Sequence, residues 1–346
     1  MRILVTGSAG FIGHALSRRL LAEGHAVTGF DGFSDYYDVG LKRARHADLA
    51  GNPGFAAIEA RLETPGALHE AMARASPEIV FHLAAQAGVR HSLENPGAYV
   101  EANLVGTANL LEAVRAHPVR HLMLASTSSA YGGNAATPFR ERDRAVLPLT
   151  LYAASKLACE AMGHSYAHLF GIPTTAFRFF TVYGPWGRPD MALFLFTRAI
   201  LAGRPIEVFA EGTATRDFTY VDDLVEAMRR LADRPPPSPS KRGPTERGPG
   251  GEGPVSADDT LSPVAPYRLV NIGGGNPVRL DAMIDALEAA LGRRAERILK
   301  PLPPGDVQGT HASTDLLRAL VGAVPETPLA VGLPRFVAWY RGFYGA

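Results

Sequence analysis

The sequence predicts an α/β protein in which a doubly wound parallel sheet is followed by a smaller α/β domain. Between residues 1 and 180, short β-rich apolar runs alternate with longer helical patterns, as is typical of parallel strands joined by crossover helices. The short runs are almost continuously apolar, as expected for strands that are covered on both faces. After Gly184 the alternation becomes less regular, which indicates a second domain over residues 181–346.

Each element of this fold is predicted from a local pattern. Short β-rich runs predict strands at residues 2–6, 26–30, 79–83, 121–125 and 174–179. Helical patterns between them predict helices at 11–23, 98–117 and 152–170. In the second region, helices are expected at 191–203, 221–234 and 280–292, and a strand at 268–272.

Composition and charge exclude several classes of protein. The 346 residues are 46% apolar with a net charge of +1, which gives no reason to expect a nucleic acid or a membrane surface as partner. The single cysteine, Cys159, excludes an intrachain disulfide and a cysteine-based zinc cluster, and no metal is expected. Because no signal-peptide segment and no apolar stretch of about 18 residues occur, a cytoplasmic location is expected.

Residues 235–266 interrupt the pattern, since they are dense in Pro, Gly, Ser and charged residues with few apolar side chains to bury. This composition predicts a mobile surface loop. A linker between domains is the alternative. The strand-like run at 268–272 directly after the segment favours an insertion within one fold.

A glycine-rich turn follows the first strand and opens the first helix. Gly7, Gly10 and Gly13 have the spacing Gly-x-x-Gly-x-x-Gly, which lets the backbone approach a pyrophosphate at the positive end of a helix. Asp31 ends the second strand, where its carboxylate can accept hydrogen bonds from ribose hydroxyls and would repel a 2′-phosphate. The turn therefore predicts a Rossmann-type site for NAD rather than NADP. A glycine turn without a ligand is the alternative, which Asp31 disfavours.

Small residues follow the predicted strand at 79–83. Ala84, Ala85 and Gln86 lie at its carboxyl end, where the ligands of parallel sheets bind, so we expect them to contact the cofactor. Tight strand packing is the alternative reason for their small size. His82 is expected to be a buried structural residue rather than an acid or base.

Tyr152 and Lys156 lie one turn apart on one face of a predicted helix. A phenol with its ordinary pKa of about 10 is a poor base at neutral pH, and an ammonium group beside a phenol favours the phenolate. The chain has only four lysines against a large excess of arginine, so a lysine at this position is not background. The pair indicates a proton-transfer site, with a solvated helix face as the alternative for so short a motif.

Together these motifs resemble the extended short-chain dehydrogenase/reductase family, and within it the NAD-dependent nucleotide-sugar epimerases. The resemblance covers nearly the whole chain and rests on TGSAGFIG at 6–13, ASTSSAYG at 125–132, YAASK at 152–156, RFFTVYGP at 178–185 and RDFTYVDD at 216–223. Three further stretches are similar to the branch that epimerises UDP-glucuronate at C4: DYYD at 35–38, AQAGVR at 85–90 and WGRPDM at 186–191. A Pro-rich insertion like 235–266 also occurs in that branch.

The resemblance implies catalytic roles for three residues. Tyr152 corresponds to the general base, Lys156 to the lysine that supports it and binds the nicotinamide ribose, and Thr127 to the hydroxyl that hydrogen-bonds the reacting sugar oxygen. Ser128 and Ser129 complete a trio of hydroxyls. In related dehydratases and decarboxylases one or both of the last two positions carry a carboxylate that serves as acid or base. Uncharged hydroxyls disfavour dehydration and suit a substrate with its own negative charge.

The same resemblance implies two sets of binding residues. The NAD set is Gly7, Gly10, Phe11, Ile12, Gly13, Asp31, Leu83, Ala84, Ala85, Gln86, Asn103, Tyr152 and Lys156. The UDP-sugar set is Arg90, Thr127, Ser128, Ser129, Thr181, Arg188, Met191, Arg216 and Asp306, with Arg216 on the pyrophosphate and Asp306 on a ribose. A surface ion pair is the alternative for Arg188. Arg61 and Leu62 stand where the family usually has an aspartate before Leu or Ile, a departure that puts the usual adenine contact in doubt.

The activity implied is NAD-dependent conversion of UDP-glucuronate to UDP-galacturonate through a 4-keto intermediate, with NAD tightly bound and regenerated in each turnover. Epimerisation of UDP-glucose and UDP-galactose, decarboxylation of UDP-glucuronate, and a non-catalytic NAD-binding scaffold are the alternatives. Residues 1–180 are expected to bind NAD, with later segments returning to that domain, and residues 181–346 mainly the UDP-sugar. The helices at 98–117 and 152–170 resemble those that form four-helix interfaces in this family, so a homodimer is expected.

Overall fold

A computed structural model describes residues 1–134, 136–241 and 260–346. Its strands are β1 (Arg2–Thr6), β2 (Ala26–Asp31), β3 (Phe55–Glu59), β4 (Ile79–His82), β5 (His121–Thr127), β6 (Thr174–Phe179), β7 (Thr181–Tyr183), β8 (Ile206–Phe209), β9 (Thr215–Tyr220), β10 (Tyr267–Ile272), β11 (Pro277–Arg279) and β12 (Arg297–Lys300). Seven strands form a parallel sheet in the order β10-β6-β5-β4-β1-β2-β3. The others form a three-stranded sheet, β11-β9-β7, and a two-stranded sheet, β12-β8.

Helices connect these strands along the described chain. They are α1 (Phe11–Ala22), α2 (Val39–Ala50), α3 (Ala67–Ala75), α4 (His91–Glu94), α5 (Pro96–Tyr99), α6 (Gly106–Ala116), α7 (Leu151–Phe170), α8 (Ala192–Leu201), α9 (Val221–Ala232), α10 (Leu280–Leu291), α11 (Asp315–Val321) and α12 (Leu329–Tyr344). No helix of the described residues is long and apolar enough to cross a membrane.

Helices cover both faces of the seven-stranded sheet because successive side chains of a strand point to opposite faces. In β1, Ile3 and Val5 belong to the core that contains side chains of α1, α9 and α11. Leu4, between them, belongs to the core on the other face, with α3, α6 and α7. The doubly wound α/β fold predicted from the sequence is therefore confirmed.

Edge strand β3 was not among the strands predicted from apolar runs, although Phe55 to Ile58 are all apolar. A run of four apolar residues does not by itself distinguish a strand from a helix. In the structure the residues of β3 are exposed or half-buried throughout.

The segment predicted as one helix over 98–117 contains a change of helix type. After α5, the chain forms a π-helical turn over Val100–Val105 and then continues as α6. The chain is helical over almost all of the predicted range, but the sequence did not reveal the change of helix type, because 3.6-residue periodicity does not distinguish an α-turn from a wider π-turn. Such turns are frequent at functional sites. This one places Asn103 in the interior, where it is 1% exposed.

The smaller sheets surround a separate apolar core built from side chains of α8, α10 and α12. Later segments nevertheless return to the seven-stranded sheet, since β10 pairs with β6 and α9 packs against α1.

The Pro-rich insertion is described only at its two ends, and residues 242–259 of the expected mobile loop lie outside the described part of the chain. At its C-terminal end the structure differs from the expectation of few buried groups. Ala265 is fully buried, and the side chains of His164 and His168 on α7 form hydrogen bonds with Ser262 Oγ (2.8 Å) and the Val264 carbonyl oxygen (2.7 Å).

Candidate active site

A cavity of about 1040 Å³ opens at the carboxyl ends of the parallel strands and extends toward the smaller sheets. We call it the central cavity. Strand order reverses between β1 and β4, because the chain proceeds from β1 to β2 on one side and reaches β4 on the other. Ligands of open parallel sheets bind at such a switch point. All the predicted site residues except Asn103 line the central cavity.

The glycine turn leaves no space for side chains at its first and last glycines. A Cβ on Gly7, whose φ is +75°, would lie 2.7 Å from the Ala84 nitrogen, and a Cβ on Gly13 would lie 2.0 Å from the Gly7 carbonyl oxygen. The turn leads directly into α1, whose N-cap is Gly10 and whose first turn has no acidic residue and no side-chain cap. Free N–H groups and the positive end of the helix dipole therefore face the cavity, as a pyrophosphate requires.

Asp31 lies beside this turn and organises the backbone around it. Its two carboxylate oxygens accept hydrogen bonds from the backbone N–H groups of Ala9 (2.9 Å) and Phe33 (2.8 Å). A carboxylate oxygen has more than one acceptor position, so both oxygens can still accept ribose hydroxyls.

Lys42 is a cavity residue that the sequence motifs did not mark. Its side chain is buried, and its ammonium group donates to the carbonyl oxygen (2.5 Å) and the hydroxyl (2.9 Å) of Ser34. Burial lowers the pKa of Lys42 to about 8 although the Asp31 charge opposes the shift. Its cationic group adds positive charge at the end of the cavity that holds Asp31.

Asn103 does not line the central cavity, and its predicted direct contact with the cofactor stays a prediction. Its side-chain amide is used within the protein: Oδ1 accepts from the Gln86 N–H (2.8 Å), and Nδ2 donates to the Gln86 carbonyl oxygen (3.0 Å) and to Ser155 Oγ (2.9 Å). Asn103 therefore holds the loop after β4 to the N-terminal part of α7. Sequence spacing could not reveal these hydrogen bonds.

Tyr152 and Lys156 are placed in the cavity by the first turns of α7. This helix starts at a side-chain cap, in which Thr150 Oγ1 accepts from the Ala153 N–H (3.2 Å). Tyr152 is half-buried, whereas Lys156 is only 3% exposed. A buried ammonium one turn from a phenol can stabilise negative charge on the phenolic oxygen. Both groups line the same cavity as the glycine turn.

His82 is the buried structural residue that was predicted. Its ring nitrogens pair with the hydroxyls of Thr6 (2.8 Å) and Thr107 (3.3 Å). Burial, with a smaller contribution from the Lys156 charge, lowers the pKa of His82 to about 3. The imidazole is therefore a very weak base at neutral pH and leaves Tyr152 as the better candidate for proton transfer.

Thr127, Ser128 and Ser129 form a hydroxyl-lined turn where β5 ends. Thr127 is the N-cap of a 3₁₀ turn over Ser128–Tyr131, and its Oγ1 accepts from the Ser129 N–H (3.2 Å). The three residues line the cavity together with Tyr152 and Thr181. We call residues 127–129 the hydroxyl turn.

The far end of the cavity carries arginine side chains. Arg90 forms an ion pair with Asp306 (3.3 Å) and lies over the ring of Phe209, 4.3 Å from its centroid. Arg216 donates to the carbonyl oxygen of Thr215 (2.9 Å), and burial lowers its pKa. A cation that is poorly solvated in this way is suited to bind an anionic group such as a diphosphate.

Arg188 lines the cavity while held by a neighbouring carboxylate. It donates through Nε (3.0 Å) and Nη2 (2.5 Å) to Asp190, which also accepts from the Tyr36 hydroxyl (3.0 Å). The ion pair weighed as the alternative for Arg188 is therefore present, but it is half-buried at the cavity wall rather than on an open surface.

Arg45 is a second residue that sequence reasoning missed. It is fully buried and donates to the carbonyl oxygens of Ala9 (3.1 Å) and Trp186 (2.6 Å) and to the Tyr37 hydroxyl (2.8 Å). Arg45 thus joins the glycine turn to the loop that carries Arg188 and Met191. Arginine is the default cation of this chain, so the sequence contained no signal for this role.

Comparisons with known proteins agree with this arrangement over almost the whole chain. The NAD dependent epimerase/dehydratase family matches residues 3–242. The probable UDP-glucuronate 4-epimerase of Rhizobium meliloti (strain 1021) is 55% identical, over 99% of this chain and 98% of the relative. UDP-glucuronate 4-epimerase 5 of Arabidopsis thaliana is 42% identical, over 99% of this chain and 76% of the relative.

Among solved structures, UDP-glucuronic acid 4-epimerase from Bacillus cereus in complex with UDP-glucuronic acid and NAD has the same fold. It matches with a TM-score of 0.84 and 30% identity over 99% of this chain and 100% of that chain. The similarity therefore includes both the seven-stranded sheet and the smaller sheets.

Proposed function

Because this chain belongs to the NAD-dependent epimerase/dehydratase family, we propose that it interconverts UDP-glucuronate and UDP-galacturonate by epimerisation at C4. One observation carries the proposal: a single cavity joins the glycine turn, the Tyr152 and Lys156 pair, and a turn that offers hydroxyls without a carboxylate. The relatives named above support the choice of a uronate as substrate.

NAD fits the glycine turn and Asp31. Gly7 and Gly13 allow close backbone approach, the N-terminal end of α1 faces the cavity, and Asp31 would accept the adenosine ribose hydroxyls and repel a 2′-phosphate. When bound, NAD supplies a hydride acceptor that is restored at the end of each turnover. Tyr152 and Lys156 are proposed to lie at its nicotinamide end, and Leu83 to Gln86 along its backbone.

Tyr152 is proposed as the general base that takes the proton of the sugar C4 hydroxyl. The Lys156 ammonium stabilises the phenolate, and the Thr127 hydroxyl hydrogen-bonds the reacting oxygen. Oxidation at C4 yields a 4-keto sugar in which C4 is trigonal planar and can be reduced from either face. After the sugar turns over in the cavity, reduction from its other face gives the epimer, and Tyr152 returns the proton to the C4 oxygen.

The substrate must turn while its nucleotide end stays bound. We propose that Arg216 and Arg90 bind the diphosphate, that Asp306 accepts a ribose hydroxyl, and that Arg188 and Met191 border the sugar. Arg188 can contact the substrate through Nη1, because the Asp190 carboxylate engages only Nε and Nη2 and a guanidinium has five N–H donors. Anchoring at one end leaves rotation of the sugar as the motion that exposes its second face.

The 4-keto intermediate brings a chemical hazard, because a 4-keto uronate is a β-keto acid that can lose CO₂. We propose that the hydroxyl turn and Thr181 bind the sugar carboxylate. In this position they keep the bond to the carboxyl carbon out of alignment with the ketone π system. A carboxylate in place of Ser128 or Ser129 would repel the uronate.

The proposed function predicts the products of a simple incubation. Purified protein mixed with UDP-glucuronate should form UDP-galacturonate, and UDP-galacturonate should form UDP-glucuronate, both read by proton NMR without added NAD. A pentose nucleotide as the main product would show that the protein is a decarboxylase and not an epimerase. Turnover of UDP-glucose alone would indicate a neutral hexose substrate, and bound NAD without turnover of any UDP-sugar would favour a scaffold.

We also propose a homodimer formed through the region around α6 and α7. Apolar side chains remain exposed on the adjoining segments, with Val100 at 42%, Val105 at 43%, Leu169 at 64% and Phe170 at 40% of their accessible surface. An apolar face of this kind is typical of a subunit interface.

Val105→Glu is expected to convert the dimer to monomers, since a charge would be buried without a partner in the interface. Sedimentation velocity measures the change. Val331→Glu is the matched control, because Val331 is 42% exposed on α12, and it should remain dimeric. A monomer for the unaltered protein would contradict the proposal.

A further inference from the structure

Directly behind the hydroxyl turn lies a buried ion pair that the proposed mechanism does not use. Arg178 on β6 donates through Nε (2.9 Å) and Nη2 (2.7 Å) to the two carboxylate oxygens of Glu160 on α7. The side chains are 4% and 10% exposed. The bidentate geometry fixes both the distance and the relative orientation of the strand and the helix.

The ion pair contacts both ends of the segment that contains the hydroxyl turn. Before the turn, the Ser126 hydroxyl donates to Glu160 Oε1 (2.5 Å). After the turn, Tyr131 places its ring against the Arg178 guanidinium, 4.4 Å from the ring centroid. Ser126 and Tyr131 flank the hydroxyl turn in the chain, so its position depends on the pair at both sides.

Glu160 also belongs to the helix that carries the proposed base. Tyr152, Lys156 and Glu160 are spaced by four residues on α7, so they lie on neighbouring positions of one face over two turns. Glu160 and Tyr152 lie on α7, and Ser126 adjoins the hydroxyl turn. If Glu160 moves relative to Ser126, the hydroxyl turn therefore moves relative to Tyr152.

The network is anchored further into the sheet. The Tyr131 hydroxyl donates to Asn271 Oδ1 (2.7 Å) on β10, and Asn271 Nδ2 donates to the Phe139 carbonyl oxygen (2.9 Å). Arg178 Nη1 is buried without a hydrogen-bond partner among the described residues. Its charge is compensated by Glu160 at hydrogen-bond distance and by the ring of Tyr131, and more weakly by the nearby Glu141 carboxylate. Removal of Glu160 would therefore leave a buried cation with much weaker compensation.

We infer that Glu160 and Arg178 are positioning residues that hold the hydroxyl turn against Tyr152 and thereby determine how often the 4-keto intermediate loses CO₂. The inference rests on the proposed function. In the competing step, the C5–C6 bond breaks, CO₂ leaves, and the bonding electron pair enters the enolate of the C4 ketone, which then takes up a proton at C5. Return to C4 of the hydride removed in the first half of the reaction, with a proton on the C4 oxygen, gives the pentose nucleotide. The step requires the breaking bond to align with the ketone π system, an alignment that a displaced hydroxyl turn no longer prevents.

Glu160→Gln is the variant that tests the inference, because it removes the charge but keeps the size of the side chain. The measured quantity is the ratio of pentose nucleotide to UDP-galacturonate formed from UDP-glucuronate, read by NMR during initial turnover. We expect this ratio to rise at least tenfold. A loss of stability alone would lower the amount of active enzyme and leave the ratio unchanged.

Two further variants make the test specific. Glu288→Gln is the matched control, since Glu288 is 4% exposed and accepts from Arg297 (2.7 Å) and from Arg294 and Ala295, away from the hydroxyl turn. Its product ratio should equal that of the unaltered protein. Ser126→Ala removes one hydroxyl from the network without removing a charge, and should raise the ratio by a smaller factor even if Glu160→Gln fails to fold.

The outcomes separate this inference from the proposed function. If the unaltered protein forms UDP-galacturonate and both Glu160→Gln and Ser126→Ala leave the product ratio unchanged, the positioning role is wrong and the epimerase stands. If Glu288→Gln raises the ratio as much as Glu160→Gln, the effect is not specific to the ion pair behind the hydroxyl turn and the inference also fails. If the unaltered protein forms no UDP-galacturonate, both the proposed function and this inference are wrong.

Discussion

Replacing Tyr152 by phenylalanine is expected to lower kcat about a thousandfold, within the range of roughly 10²–10⁴ that general acid–base catalysis contributes. The change removes the phenolic oxygen while leaving the ring and the start of α7 in place. Bound NAD, measured after acid release from the purified protein, should remain at the level of the unaltered protein. The expected signature is therefore a protein that is loaded with cofactor and does not turn over.

Tyr166→Phe is the matched control for this experiment. Tyr166 lies on the same helix, and its hydroxyl donates to Glu112 Oε1 (2.5 Å) outside the central cavity. Because this hydroxyl lies outside the central cavity, its loss should leave kcat unchanged. If Tyr152→Phe keeps more than about a tenth of the activity, the loss is smaller than the smallest effect expected of a general base. Tyr152 would then not be the base.

Gly13→Ala is expected to abolish cofactor binding. The added methyl group would lie 2.0 Å from the Gly7 carbonyl oxygen, so the glycine turn and the first turn of α1 must separate, and the N–H groups no longer converge on one phosphate position. The purified variant should carry less than about a tenth of the NAD of the unaltered protein. Added NAD should also fail to raise the Tm of this variant, whereas it raises the Tm of a protein that binds NAD.

The control for this prediction is the same substitution where space is free. A Cβ on Gly342 in α12 has no heavy atom within 4 Å, and Gly→Ala at a compatible helical position stabilises a protein by about 0.4–1 kcal/mol. Gly342→Ala should therefore keep its NAD and have an unchanged or slightly higher Tm. Normal NAD content in Gly13→Ala would show that the turn does not hold the pyrophosphate.

Much of the fold could be predicted because its signals are local. The central strand β1 was placed at Arg2–Thr6 and β6 at Thr174–Phe179, with the bounds that the structure has, since burial on both faces requires continuous apolar residues. The same reasoning missed the edge strand β3 and the π-turn before α6. The apolar run of β3 is only four residues long, which does not distinguish a strand from a helix. A change of helix type leaves no distinct mark in apolar periodicity.

The site was predictable to the extent that its residues belong to compact motifs. The glycine turn, the Tyr152 and Lys156 pair, and the hydroxyl turn each occupy a few consecutive residues, and the structure brings all of them to one cavity. Arg45 and Lys42 were missed, and the hydrogen bonds of Asn103 to Gln86 and Ser155 were not foreseen. Their surroundings are built from segments far apart in the chain, for example from Ala9 and Trp186 around Arg45.

The sequence by itself determined the α/β class, the dinucleotide-binding turn and the chemical groups available for proton transfer, because backbone freedom and side-chain chemistry are properties of short segments. Only the tertiary structure decided that Asn103 supports the loop after β4, that Arg188 is held by Asp190, and that Glu160 and Arg178 lie behind the hydroxyl turn. These features depend on distances between side chains on different elements. Such distances are set by how the elements pack, which spacing along the chain does not specify.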